Sequence, residues 1–389
     1  MPLNHKLYVK HSSWVNPVYM LCIPWVIGCL FFLLKWTELE MYEAPQVLSV
    51  VSIVLLPFIC IYLYLNACSL ALSGFKLKTW ESILEVDVEG IWFKVKCLFA
   101  IWMLVSIVEI FLSKGLPFIW LLTGSPLNYV DFGIHSLHGL LNSMLLACSL
   151  FSVFLFYTTG ERKFLVIPIV SLIWGALIIS RALILSNFLQ ILILYVFING
   201  LNYKKMIKTF MFIIMFVVVF GVIGDFRTEG FKDIVSSDGL YPDYMPSGFL
   251  WVYVYMMTPL NNLANIVVFT VPVFDWTFPN TVSLLFPSVI RDLIFASDIG
   301  KGELVLETFN ISTAYAKPFI DYGVIGMVAL STLYAVVAFF AWRGRTLYSM
   351  LAYVIIAHCL LVSIFFNWLF SLPIVFQFVW IYFILYKMK

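Results

Sequence analysis

The chain has 389 residues, of which 63% are hydrophobic and 11% charged, and its mean hydropathy is +1.01. Too little polar surface remains to clothe a water-soluble particle, so the composition points to a polytopic membrane protein. A formal net charge of only +2 argues against a nucleic-acid partner, which would need clustered Lys and Arg to displace condensed counterions.

A bilayer core of about 30 Å takes about 20 apolar residues per helix. That ruler predicts an all-α bundle of about ten spans within a single integral-membrane domain. The spans fall at roughly 17–34, 47–71, 97–113, 134–157, 164–180, 183–200, 209–224, 322–341, 347–366 and 369–386. The first apolar run has no small-residue cleavage site and is read as a span, not a removed signal. A long loop, roughly 225–321, separates the seventh and eighth spans. Within it, Phe249 to Val271 is long enough to cross but carries Pro259, Asn261, Asn262 and Asn265, and is read as a surface-lying or re-entrant segment. Leu116 to Leu122, closed by Gly124 and Pro126, is too short to span and is read the same way. The run Glu85-Val86-Asp87-Val88-Glu89 is read as a solvated face among lysines.

Sidedness follows from the basic residues. Lys6, Lys10, Lys76, Lys78, Lys94, Lys96, Arg162, Lys163, Lys204, Lys205, Lys208, Arg343, Arg345, Lys387 and Lys389 fall on one side of the alternating spans, out of 23 Lys and Arg in all. The excess of positive charge marks the cytoplasmic face, so both termini are expected inside and the long loop outside. All seven cysteines lie in or at the ends of apolar runs, which speaks against a disulfide framework or a cysteine zinc site. No external Asp-x-Asp pair suggests a metal, and no cofactor is expected.

Ionisable groups are nearly absent from the spans, Glu109 and His358 being the main exceptions, which weakens an ion-coupled transporter reading. For His358 the simpler reading is a histidine hydrogen-bonded between helices. On the external face Arg181 follows the fifth span, Arg227 the seventh, and Arg291 lies in the long loop. A guanidinium keeps its charge and presents a planar fork of donors that matches phosphate oxygens, so these arginines form a candidate anion site for a lipid phosphate or pyrophosphate. Snorkelling to ordinary headgroups is the competing explanation. Candidate bases are Asp131, His135 and His138 at the start of the fourth span, where a helical spacing of three would put both histidines on one face. Glu303, Glu307 and Asp225 compete with them.

With these features the chain resembles the O-antigen (Wzy-type) oligosaccharide repeat-unit polymerases of Gram-negative inner membranes. The likeness rests on the span layout, Ser180-Arg181-Ala182, Gly224-Asp225-Phe226-Arg227, Thr258-Pro259-Leu260-Asn261-Asn262-Leu263, Phe286-Pro287, Asn310-Ile311-Ser312-Thr313-Ala314-Tyr315 and Asp321-Tyr322-Gly323-Val324-Ile325-Gly326. It implies a glycosyltransferase in the inner membrane with a periplasmic active face. Such an enzyme moves a chain on undecaprenyl pyrophosphate onto the next lipid-linked repeat unit and uses no nucleotide sugar. The implied partners are undecaprenyl-pyrophosphate-linked oligosaccharides, membrane lipids and a chain-length regulator protein. On this reading Arg181 and Arg227, with Arg291 less directly, hold the pyrophosphate and Tyr315 joins them in binding substrate. His135 or His138, or else Glu303 or Asp225, deprotonates the acceptor hydroxyl. An O-antigen ligase is the alternative enzyme, and a lipid-linked oligosaccharide flippase or other transporter the alternative class.

Overall fold

The computed structural model describes residues 4–10, 12–39, 41–72, 81–127, 129–200, 204, 207, 211, 241–242, 245–295, 302–305 and 311–386. The seventh expected span, 209–224, therefore lies almost wholly outside the described residues. The remainder is helical apart from one two-stranded antiparallel ribbon, β1 (Asn4–Lys10) with β2 (Glu81–Asp87). The all-α class holds, with this ribbon added to the helices, but the Glu85–Glu89 run is not simply a solvated face, since it supplies the end of β2 and the cap of the next helix. The register sets Lys6 opposite Glu85 and Lys10 opposite Glu81.

From the ribbon end the chain climbs through α1 (Pro17–Phe32), started by the Asn16 side chain accepting the Val18 N–H, and returns through α2 (Ala44–Leu72). Helix α3 (Val88–Leu112) opens with Asp87 accepting the Gly90 N–H, nine residues earlier than the expected 97. The short α4 (Pro117–Thr123) closes on left-handed Gly124, and α5 (Leu137–Thr159) runs back to the ribbon end. A tight pair follows, α6 (Val166–Leu177) and α7 (Arg181–Asn199). The side-chain burial of these helices differs sharply. In α5, 78% of the most apolar window is buried, against 33% in α2 and 28% for the α3–α4 stretch. Helix α5 thus stands at the centre of the bundle, while α2 and α3 present Leu63, Leu104 and Phe111 outward, as lipid-facing helices do.

Among the described residues, six helical stretches are long and apolar enough to cross a membrane: 44–72, 88–123, 137–159, 181–199, 247–269 and 316–343. Among them α8 (Ser247–Phe269) is the segment expected to lie on the surface or re-enter. It is continuous and largely buried against α1, α2 and α11, so it is not a surface helix. Its course is set by the connection 33–43, which joins α1 to α2 at the end away from the ribbon. Trp36 N–H donates to Tyr253 Oη (3.1 Å), Asn261 Nδ2 donates to Leu39 O, and Tyr42 Oη donates to Asn265 Oδ1. Residues 253 to 265 cover about 18 Å of helix, and both ends of that length touch the same connection.

After α9 (Pro279–Val282) and α10 (Ser288–Ile294), α11 (Ala316–Arg343) is two helices joined by a break at Tyr322 and Gly323, where Gly323 has φ +60°. The first turn folds back so closely that a side chain at Gly326 would collide with Pro318 O. Tyr315, just before this turn, packs on Trp25 and Tyr334. Tyr334 lies about 16 Å along the helix from the break, so residues 311–321 dip into the bundle and climb back: the re-entrant element is here. It meets a recess left by α12 (Leu347–Leu361) and α13 (Leu372–Leu385), each only about 21–22 Å long. Ala314 N–H donates to Ser363 O (2.8 Å), Trp25 Nε1 to Ser363 Oγ (2.9 Å) and Tyr334 Oη to Asn367 Oδ1 (3.3 Å). The first bond satisfies irregular backbone that lipid could not, and the other two pair buried side chains beside it. At the ribbon end Lys94 Nζ donates to Ile384 O (2.8 Å) and Tyr386 O (2.7 Å), placing a cation on the carbonyl end of α13.

Candidate functional site

The chemistry gathers at the far end, where α3 stops and α5 starts. Glu109, fully buried on the last turns of α3, faces His138 in the first turn of α5, with 3.1 Å between Oε2 and Nδ1. Its other oxygen accepts the Ile134 N–H (3.0 Å), and Ser113 Oγ accepts the Gly133 N–H (2.9 Å). Two bonds thus clip the 132–134 backbone onto the end of α3 and carry the start of α5 with it. Gly133 has φ +90°, and a Cβ there would stand 2.8 Å from the His138 ring. Only glycine lets the backbone pass so close. Phe132 closes the other side, edge-on to His138 at 5.4 Å and against Trp174 at 6.0 Å.

The His138 side chain keeps 23% of its exposure while Glu109 keeps none. An ionised carboxylate only accepts, so with Glu109 ionised Nδ1 carries the proton and Nε2 is the free acceptor of a neutral imidazole. A buried acid fixing the tautomer of a partly exposed histidine is the arrangement a general base requires. Glu109 was visible in the sequence as a lone carboxylate in an apolar span, but nothing in the sequence named its partner.

His135 does not share this role. Ser136, between the two histidines, has φ +70°, so the helix begins only at Leu137 and the spacing of three does not put both rings on one face. His135 is exposed in the preceding turn, and Asp131 ends an exposed 3₁₀ turn.

Arg181 is the first residue of α7. Ser180 accepts the Leu183 N–H (3.3 Å), and its own N–H returns to Gly175 O (2.8 Å), which closes the turn from α6. The exposed guanidinium therefore sits at the positive end of a 19-residue helix, and its Nη1 donates to Tyr255 Oη of α8 (3.2 Å). The alternating course of α5, α6 and α7 puts Arg181 and His138 at the same end of the bundle. The Phe132–Trp174 contact ties those ends together.

Arg291 is half-buried in α10, and its charge reaches Lys317 at the start of the re-entrant turn, which Asp321 also faces. Asp321 itself is fully engaged. One oxygen accepts Asn280 N (2.9 Å) and Nδ2 (2.7 Å), and the other accepts Thr281 N (2.8 Å) and Oγ1 (2.6 Å). This carboxylate caps α9 and ties the loop to the break in α11.

Glu303 has an exposed side chain, and its backbone does the structural work: N–H to Thr270 Oγ1 (3.1 Å) and O from Asn265 Nδ2 (2.8 Å). Asn262 holds the same segment through Val305 N–H (3.0 Å) and Ile311 O (2.8 Å). The asparagines of the Thr258–Leu263 motif and its neighbour thus latch loops. Tyr315, expected to bind substrate, has no exposure and packs between Trp25 and Tyr334, so it is a core residue. Asp225, Arg227 and Glu307 lie outside the described residues. Among the described residues no three His, Cys, Asp or Glu side chains gather as a metal site. His358 is buried with its ring on Trp368 (4.7 Å), and neither nitrogen has a hydrogen-bond partner in the protein, unlike the interhelical bond expected for it. No protein family, characterised protein or solved structure matched the chain on comparison.

Proposed function

We propose that this protein is a membrane-embedded glycosyltransferase that polymerises undecaprenyl-pyrophosphate-linked repeat units of an O-antigen or related surface polysaccharide. On this reading the far end of the bundle faces the periplasm of a bacterial inner membrane. The observation that carries it is the Glu109–His138 pair, a buried carboxylate holding a partly exposed imidazole at the same end as Arg181. His138 Nε2 takes the proton of the acceptor hydroxyl as that oxygen attacks the anomeric carbon. Arg181 meets the pyrophosphate leaving group, with the dipole of α7 adding to its charge, and offsets the negative charge that grows as the sugar–phosphate bond breaks. Arg227 and Arg291 remain its candidate partners in holding the pyrophosphate. The half-buried site needs no water-soluble donor, because both saccharides arrive on lipid tails.

Deleting the gene and separating the surface polysaccharide on a gel tests the reading. A polymerase mutant retains lipid A core carrying one repeat unit and loses the ladder. A ligase or flippase mutant loses attached repeats altogether, and a persisting modal ladder rejects all three. Complementation with His138→Ala should fail to restore the ladder while the protein still reaches the membrane.

A further inference from the structure

We propose that ordered water occupies the core between α3, α5 and α6 beneath His138, held by Trp102, Ser106, Asn142, Ser171 and Trp174. Trp102 Nε1, Ser106 Oγ, Asn142 Oδ1, Ser171 Oγ and Trp174 Nε1 are all buried without a hydrogen-bond partner in the protein. Helical spacing gathers them. Trp102, Ser106 and Glu109 follow one face of α3 at steps of four and three, His138 and Asn142 stand one turn apart on α5, and Ser171 and Trp174 one turn apart on α6. The faces meet: the Trp102 and Trp174 rings are 5.3 Å apart at 89°, and Phe132 bridges Trp174 to His138.

Five orphaned polar groups inside a bundle with no bulk solvent would together cancel much of the stability of a fold. The set contains two indole donors, two hydroxyls that both give and take, and an amide oxygen that only takes. A ligand must therefore donate and accept in turn, which suits water. A bare cation would face the indole donors, and an anion would face the amide oxygen. Buried water typically makes about three such bonds. Ser106 lies within a turn of Glu109, whose two oxygens each take one bond from the protein, so water here also solvates the inner side of the Glu109–His138 pair. The inference is independent of the reaction proposed above.

Radiolytic hydroxyl labelling of the full-length protein in lipid nanodiscs, read by mass spectrometry, tests it, because radicals formed from bound water mark the side chains that hold it. Trp25 is the control, fully buried with its Nε1 bonded to Ser363 Oγ. Trp102 and Trp174 are expected to label several-fold faster than Trp25, and labelling of both at the Trp25 rate overturns the proposal. In an Asn142→Leu variant that elutes and melts as the wild type does, both indoles should label more slowly. Undiminished labelling in that folded variant overturns it as well.

Discussion

Replacing Glu109 with glutamine isolates what the buried charge does for His138. Glutamine keeps the shape of the side chain and can keep the Ile134 bond through its carbonyl oxygen. Its amide then points donors at His138 Nδ1, so the imidazole is held as the tautomer with Nε2 protonated, which can no longer accept a proton. The charge-assisted bond being lost is worth about 1.5–3 kcal/mol. At roughly 1.4 kcal/mol per decade this predicts a fall in transfer rate of about 10- to 140-fold. The assay is incorporation of purified lipid-linked repeat units into polymer by protein in nanodiscs, with elution volume and thermal midpoint as folding controls. His138→Ala should cost more than Glu109→Gln, and His135→Ala should stay near wild type. A folded Glu109→Gln protein with wild-type turnover would refute the orienting role, as would dependence on His135 without dependence on His138.

Other expectations follow from single contacts. Arg181→Ala should abolish polymer in folded protein, and Arg181→Lys should restore part of it, because lysine keeps the charge but not the fork. Tyr255→Phe removes one partly exposed hydrogen bond and should cost no more than about 1 kcal/mol in transition-state stabilisation, read as a modest loss of rate. Gly133→Ala puts a strained residue at φ +90° and a methyl against the His138 ring, so rate should fall more than thermal stability does. Asp321→Asn turns one of two acceptor oxygens into a donor facing Thr281 or Asn280. It should lower the unfolding free energy by about 2–4 kcal/mol, seen as a drop in melting temperature in detergent.

The sequence by itself determined the solvent and most of the helices, because span length and apolar composition are local properties answering to the thickness of a bilayer. It placed the eighth span at 322–341, which matches the part of α11 beyond the break at Tyr322 and Gly323, and it marked the segment 116–122 as too short to cross. It also marked Asn261, Asn262 and Asn265 as groups that lipid would not accept. What they bond was not legible, because their partners at Leu39, Ile311, Tyr42 and Glu303 are some 38 to 223 positions away. The same holds for the site. Glu109 stood out as an isolated carboxylate and His138 as a titratable group at a helix start, yet only packing of α3 on α5 decided that they meet. Only the reversed backbone at Ser136 decided that His135 does not join them. Tyr315, expected from its motif to bind substrate, became core because a re-entrant turn carried it inward against Trp25. Hydropathy is read one segment at a time, whereas which polar groups share a site depends on how segments distant in the chain are brought together.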